Sequence, residues 1–249
     1  MPGEPVAQVD LDALIRRLVE GYQPQRVILY GSRAYWVPRE DSDVDLLVIK
    51  ETDEGWWQRK STVSRCLGDV TTADVDVRVI TPAELAGRLE RGNQFYAEIL
   101  GRGRLVYGPP LEEVPSVAGK ERLYAQDWLA TAERDLRRSD LLANELDGDG
   151  AGFHLHQALE KFLKAFLIAE GWPLQRTHSL ADLIREAGER EHGFIGYLPF
   201  VNAMRTWYWA GRYADSEEQP PTLEEVRTAR QEAQPLIERI RAAVAGPGS

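Results

Sequence analysis

Two short acidic patterns carry the residues best suited to chemistry. Asp43 and Asp45 open the run DVDLLVI at 43–49. Side chains on a strand alternate between faces, so both carboxylates project together, with Val44 on the opposite side. Carboxylates held close repel, and burial raises that cost, so such a pair calls for cations. Mg²⁺ takes hard oxygen ligands and is usually held by one or two carboxylates plus substrate phosphates. Two such ions can activate an attacking oxygen and stabilise a leaving one. Taken alone, Asp41-Ser42-Asp43 also reads as a solvated turn. A second pattern, Asp74-Val75-Asp76, opens the next apolar run, and again both acids share a face. If the two strands are neighbours, one of these acids joins the first pair. Asp76 is preferred because it lies deeper in its strand, ahead of Val77, Val79 and Ile80; Asp74 is the alternative.

A third element is Gly31-Ser32, directly after the apolar run Val27-Ile28-Leu29-Tyr30. A glycine there lets the backbone approach a ligand closely, and the serine offers a hydroxyl and a backbone N–H to phosphate oxygens. Arg33 and Arg39 add cations that could meet phosphate charge.

These residues must be positioned by regular elements. Leu11, Leu14, Ile15 and Leu18 recur at helical spacing between Val9 and Gly21. Strands are predicted over 27–30, 43–49 and 74–80, with a helix over 55–67. Thr81 and Pro82 form a helix start, Thr81 as N-cap and Pro82 in the first turn. Leu105-Val106-Tyr107 reads as a short edge strand. Residues 108–118, GPPLEEVPSVA, hold three prolines and read as a linker. Beyond them the pattern is helical, with helices predicted over 120–146, 151–170, 178–190, 195–211 and 222–244. The expected fold class is α+β: a small mixed sheet with flanking helices, then an all-α bundle.

The order strand, Gly-Ser, about ten residues, Asp-x-Asp strand, later strand acid resembles the minimal nucleotidyltransferases of the DNA polymerase beta superfamily, over roughly residues 8–107. That resemblance implies that Gly31 and Ser32 contact the phosphates of ATP or another NTP, with Arg33 a candidate for the same phosphates by its charge. It implies further that Asp43, Asp45 and Asp76 hold two Mg²⁺ ions, and that Asp76 helps position the attacking group. Many members of the family continue Gly-Ser-x-Ala-x-Gly; here Trp36 stands where the second glycine is common, which leaves the metal ligands in place.

In the second half, Leu155, Leu159, Phe162, Phe166 and Ala169 form an apolar helical stripe. His154, Gln157, Lys161 and Lys164 occupy a separate arc, readable as a solvated stripe or as a cationic face for an anionic ligand. Thr177-His178 is expected to cap the next helix. The combination HLHQALEKFLKAFL, Thr177-His178-Ser179-Leu180 and Gly211-Arg212-Tyr213-Ala214-Asp215 resembles HEPN domains, helical bundles often paired with minimal nucleotidyltransferases. The resemblance implies a homodimer formed through the helices. Arg185 and His192 satisfy the Arg-x4–6-His spacing of HEPN RNases, but they lie early, and Gly188 and Gly193 suggest a helix end between them. Trp207, Tyr208, Trp209 and Tyr213 could line a cleft or form core.

Composition narrows the rest. The chain has 249 residues and a net charge of −10, which argues against non-specific binding to nucleic acid or anionic membrane as its main activity. Its one cysteine, Cys66, excludes an internal disulfide and a cysteine zinc site. No apolar run approaches the ~20 residues of a membrane span, and a cytoplasmic location is expected. The domains are expected at 1–107 (nucleotidyltransferase), 108–118 (linker) and 119–249 (HEPN-like). The expected function is Mg²⁺-dependent transfer of a nucleoside monophosphate, AMP from ATP, to an acceptor hydroxyl with release of pyrophosphate. The acceptor is a protein side chain, a nucleic-acid end or a small cationic molecule such as an aminoglycoside. The alternatives are a nucleotide-binding regulatory or toxin-antitoxin-type module without turnover, and a HEPN RNase.

Overall fold

The computed structural model describes residues 10–35, 43–68, 75–111, 113–208 and 219–246. The chain divides into two compact units, Met1–Val117 and Ala118–Ser249.

The first unit begins with α1 (Leu11–Tyr22), whose Leu14, Leu18 and Tyr22 recur every fourth residue and are buried. Asp10 caps it, its carboxylate accepting from the Ala13 N–H at 3.0 Å, an interaction worth about 1 kcal/mol. Then follow β1 (Arg26–Tyr30), a short α2 (Ser32–Tyr35), β2 (Val44–Ile49), α3 (Trp56–Leu67) and β3 (Val75–Ile80). The unit closes with α4 (Pro82–Glu90), α5 (Gln94–Arg102) and β4 (Arg104–Tyr107). The sheet order is β3-β2-β1-β4. β1 runs antiparallel to both β2 and β4, while β2 and β3 run parallel, so the sheet is mixed.

Alternation along the strands divides the core in two. Val27, Leu29, Val44, Leu46, Val48 and Val77 pack with Leu14 and Leu18 of α1 and Val63 of α3 on one face. Ile28, Tyr30, Leu47, Ile49 and Ile80 pack with Leu85 and Leu89 of α4 and Ile99 of α5 on the other. The predicted strands, the capping Thr81 and the edge strand all form. Leu111 and Val117, from the proline-rich stretch, pack against the second of these cores.

The second unit contains α6 (Glu121–Asn144), α7 (Gly148–Ala169), α8 (Leu180–Arg190), α9 (Leu198–Ala203), α10 (Leu223–Glu232) and α11 (Gln234–Ala245). α7 is its centre: fourteen of its residues are buried, including Glu160 and Lys164. An apolar stripe is therefore too narrow a description of this helix, because neighbours cover it on nearly every side.

Four sequence expectations change here. The helix expected over 151–170 begins at Gly148, because Asp147 accepts from the Gly150 N–H and caps it. Ser179, rather than Thr177-His178, caps α8, its hydroxyl accepting from Asp182 N–H at 3.2 Å. The helix expected over 195–211 is a 3-10 turn at His192–Tyr197 followed by α9. Pro199 has no N–H to bond the carbonyl of residue 195, so the chain tightens there. The helix expected over 222–244 breaks into α10 and α11, since Pro235 likewise cannot bond residue 231.

Candidate functional site

Asp45 is the second residue of β2. Its register partner on antiparallel β1 is Tyr30, and its partner on parallel β3 is Asp76. Tyr30, Leu47, Ile49 and Ile80 belong to the α4–α5 face, and strand alternation puts Asp45, Asp76 and Arg78 on that face too. Two acids thus stand side by side on adjacent strands at one end of the sheet. Asp43 lies just before β2 and is exposed, two residues from Asp45. Asp74, the alternative third acid, and Trp36 and Arg39 lie outside the described residues.

Gly31 follows β1 with φ +72°, in the left-handed region. A β-carbon there would overlap Oδ2 of Asp45 and stand 2.9 Å from its Cγ. The carboxylate fills the space the missing side chain leaves. Ser32 and Arg33 follow in α2, where the N–H groups of Ala34 and Tyr35 both bond the Gly31 carbonyl at 3.1 Å. The Gly-Ser turn is therefore closed over the end of β1, beside the acid on β2.

Arg78 is a residue that the sequence reading missed. Its Nε donates to Tyr30 Oη at 3.0 Å, its Nη2 stands 3.5 Å from Asp76 Oδ2, and its guanidinium lies 5.1 Å from the Phe95 ring centroid. Burial pushes the Tyr30 phenol up to about 12, with Asp76 and Asp45 adding to the rise and Arg78 opposing it. The available signal was its spacing: Arg78 is two residues beyond Asp76 and so shares its face.

Among the described residues, no group of three or more His, Cys, Asp or Glu side chains is placed to hold a metal by itself. The donors nonetheless fit Mg²⁺. They are carboxylate oxygens, and Asp76 is partly open to solvent. Mg²⁺ completes such a set with water and substrate phosphates.

In the second unit, the polar arc on α7 is neither solvated nor free. Lys161 Nζ bonds Asp135 Oδ2 at 2.6 Å and Gln157 Oε1 at 2.9 Å; Arg138 bonds Asp135 Oδ1 at 2.8 Å. His154 Nδ1 lies 3.3 Å from Asp135 Oδ1 but off hydrogen-bond geometry. Glu160 is buried between Lys164 at 2.7 Å and His178 Nδ1 at 3.1 Å, and the His178 ring stacks on Tyr208. Arg185 is exposed and turns to Asp182 at 2.6 Å, while His192 sits exposed in the following 3-10 turn. Trp207 is core; Trp209, Arg212 and Tyr213 lie outside the described residues.

Comparison with known proteins follows this division. Residues 125–243 match the family model of the HEPN domain, so the second unit carries a HEPN domain. No curated protein matches the chain in sequence. Among solved structures, a nucleotidyltransferase-like protein from Exiguobacterium sibiricum is 15% identical, over 94% of this chain and 77% of its own, with a TM-score of 0.48. Spectinomycin adenyltransferase AAD(9) from Enterococcus faecialis, solved with ATP and spectinomycin, is 11% identical, over 93% of this chain and 97% of its own, with a TM-score of 0.43. An archaeal HEPN homologue is 21% identical, over 48% of this chain and 97% of its own, with a TM-score of 0.37. Among the described residues, no helix is long and apolar enough to cross a membrane.

Proposed function

We propose that the first unit is a Mg²⁺-dependent nucleotidyltransferase core that moves a nucleoside monophosphate, AMP from ATP, onto an acceptor hydroxyl. The observation that carries this reading is the register of Asp45 and Asp76 on adjacent strands, with Gly31 opened beneath the Asp45 carboxylate. Two neighbouring acids repel, Arg78 pairs with one of them and a glycine with positive φ seats the other, an arrangement that bound cations would account for.

In this reading Gly31, Ser32 and Arg33 hold the triphosphate through backbone N–H, hydroxyl and guanidinium groups. Asp43, Asp45 and Asp76 would hold two Mg²⁺ ions, which would supply positive charge to offset the triphosphate and to make the acceptor hydroxyl more acidic. Asp76 takes the proton of that hydroxyl. Its oxygen forms a bond to the α-phosphorus as the bond to the β-phosphate oxygen breaks, and pyrophosphate leaves. Arg78 keeps Asp76 oriented and is itself fixed by Tyr30 and Phe95.

The test is incubation of the purified protein with Mg²⁺ and α-labelled ATP, alone and with protein, RNA and aminoglycoside acceptors, following label and pyrophosphate together. Transfer that disappears in Asp45→Asn, with an unchanged far-ultraviolet circular dichroism spectrum, supports the enzyme. ATP binding with no transfer to any acceptor supports instead a regulatory module without turnover.

A further inference from the structure

The edge of the sheet beyond Asp76 holds an open cleft of about 290 Å³. Its floor is β3, from Asp76 to Ile80; its walls are Trp56, Arg59 and Lys60 of α3, Glu84 and Arg88 of α4, and Tyr96 of α5. Because β3 is the edge strand, the cleft faces away from Gly31-Ser32, with β2 between them. It therefore opens beside the acid that meets the acceptor, and not beside the residues that meet the triphosphate.

Its charge is opposite to that of the protein. The chain carries a net charge of −10, yet Arg59, Lys60, Arg78 and Arg88 line this cleft against Asp76 and Glu84 only. Glu84 is neutralised by Arg59 at 2.6 Å. Lys60 and Arg88 have no ion pair among the described residues, and Arg78 is held in place by Tyr30, Phe95 and its 3.5 Å contact with Asp76. A guanidinium fixed in this way is suited to phosphate oxygens. At the rim, Trp56 is 71% exposed and its neighbour Trp57 is 73% exposed. Large aromatic surfaces so open to water are costly to leave bare and are natural platforms for a planar base.

We propose that the acceptor is a phosphate-bearing compound with a planar base, seated in this cleft with its hydroxyl at Asp76, and is not a polycation. This rests on the nucleotidyl-transfer reading. Lys60, Arg78 and Arg88 meet the phosphate, Trp56 stacks on the base, and the hydroxyl oxygen is left facing Asp76. The cationic wall repels an aminoglycoside, although the chain as a whole is acidic. A free nucleotide and the 3′ end of single-stranded RNA share this chemistry, and the bond changes are those already given: acceptor oxygen to α-phosphorus formed, pyrophosphate released, proton to Asp76.

The experiment measures acceptor binding without ATP, so that it does not depend on turnover. The full chain is titrated with a nucleoside 5′-monophosphate, a single-stranded 12-nucleotide RNA and an aminoglycoside, and tryptophan quenching is followed. The two phosphate compounds are expected to quench, with affinity falling as salt rises. Lys60→Glu with Arg88→Glu weakens them roughly 10-fold or more while leaving ATP·Mg²⁺ binding unchanged, and Trp56→Phe removes most of the quench. Quenching by RNA alone identifies a polynucleotide end; quenching by both identifies the phosphate group itself as the determinant. Binding of the aminoglycoside that strengthens in the charge-reversal variant overturns the proposal, as does binding of either phosphate compound that the variant leaves unchanged, or no binding by either. Transfer of label is then measured in the same three arms. Acceptor binding without any transfer leaves the cleft assignment standing and removes the transferase reading.

Discussion

The carboxylate of Asp45 lies where a β-carbon on Gly31 would have to stand. The two residues are fourteen positions apart in sequence, Gly31 just after β1 and Asp45 within β2, and the antiparallel pairing of Tyr30 with Asp45 brings the turn after β1 against the second residue of β2. The Gly31-Ser32 turn and the Asp45 carboxylate are thus one structural unit. The glycine supplies both the left-handed backbone and the space.

Gly31→Ala tests this coupling. The left-handed backbone costs a non-glycine residue about 1 kcal/mol, so the fold survives with a melting temperature lowered by a few degrees. The Asp45 carboxylate must move, and a displacement of about 1 Å at a reacting centre is enough to lower the rate ~100-fold. Nucleotidyl transfer is expected to fall by that order, well beyond the loss of stability. A variant with full transfer would separate Gly31 from the site.

Tyr30→Phe removes one hydroxyl from a buried position and with it the acceptor of the Arg78 Nε–H. The ring still packs at an edge-to-face angle on Phe95, so stability changes by about 1 kcal/mol or less. Arg78 loses one of its fixed contacts beside Asp76. The expected result is a rise of several-fold in KM for the acceptor, with KM for ATP unchanged. Equal changes in both would place Arg78 in general packing and not beside the acceptor.

Much of this site was legible in the sequence because strands obey a simple rule. Alternation puts Asp43, Asp45 and Asp76 on common faces before any coordinates exist, and the apolar runs that follow each acid mark which strands are buried. The adjacency of β2 and β3 was only a condition, and the structure supplies it. What could not be read was partnership across long separations. Asp135 and Glu160 sit on helices whose acids usually face solvent, and nothing in the local pattern reveals that Lys161 from α7 and His178 from beyond it close on them. The role of Arg78 is hidden for the same reason, since its partner Tyr30 is far away in sequence. Pro199 and Pro235 stand inside predicted helices, and the helical periodicity on either side of each masked the breaks there.

Glu160 and Lys164 provide a test of that buried chemistry. Both are almost fully buried and lie 2.7 Å apart one helical turn apart on α7. Glu160→Leu alone strands an ammonium in the core of the HEPN domain and is expected to cost about 3–5 kcal/mol in urea unfolding. The double variant Glu160→Leu with Lys164→Met removes both charges and should recover most of that loss. Non-recovery would mean that the contact of Glu160 with His178 carries the stability instead.

His156 sets a pH dependence with a definite sign. Its ring is buried on α7, its Nδ1 has no hydrogen-bond partner, and it lies against Tyr208. Burial lowers its pKa from 6.5 to about 4; Glu160 opposes the shift, and His178 and Lys161 add to it. Between these values the unfolded chain binds a proton that the folded chain refuses. Stability is therefore constant in this respect above pH 6.5 and falls as the pH drops toward 4, by about 3 kcal/mol over the window. Asp135, whose pKa is held below its ordinary carboxylate value despite burial by Lys161 and Arg138, loses its contribution only at lower pH. His156→Leu keeps an apolar body in the site and removes the titrating group. Urea unfolding of both proteins at half-unit steps from pH 7.5 to 4 should give curves that converge or cross, with the variant flatter through the window. Parallel curves would show that the imidazole is protonated in the fold and that its burial is relieved by water or by Glu160.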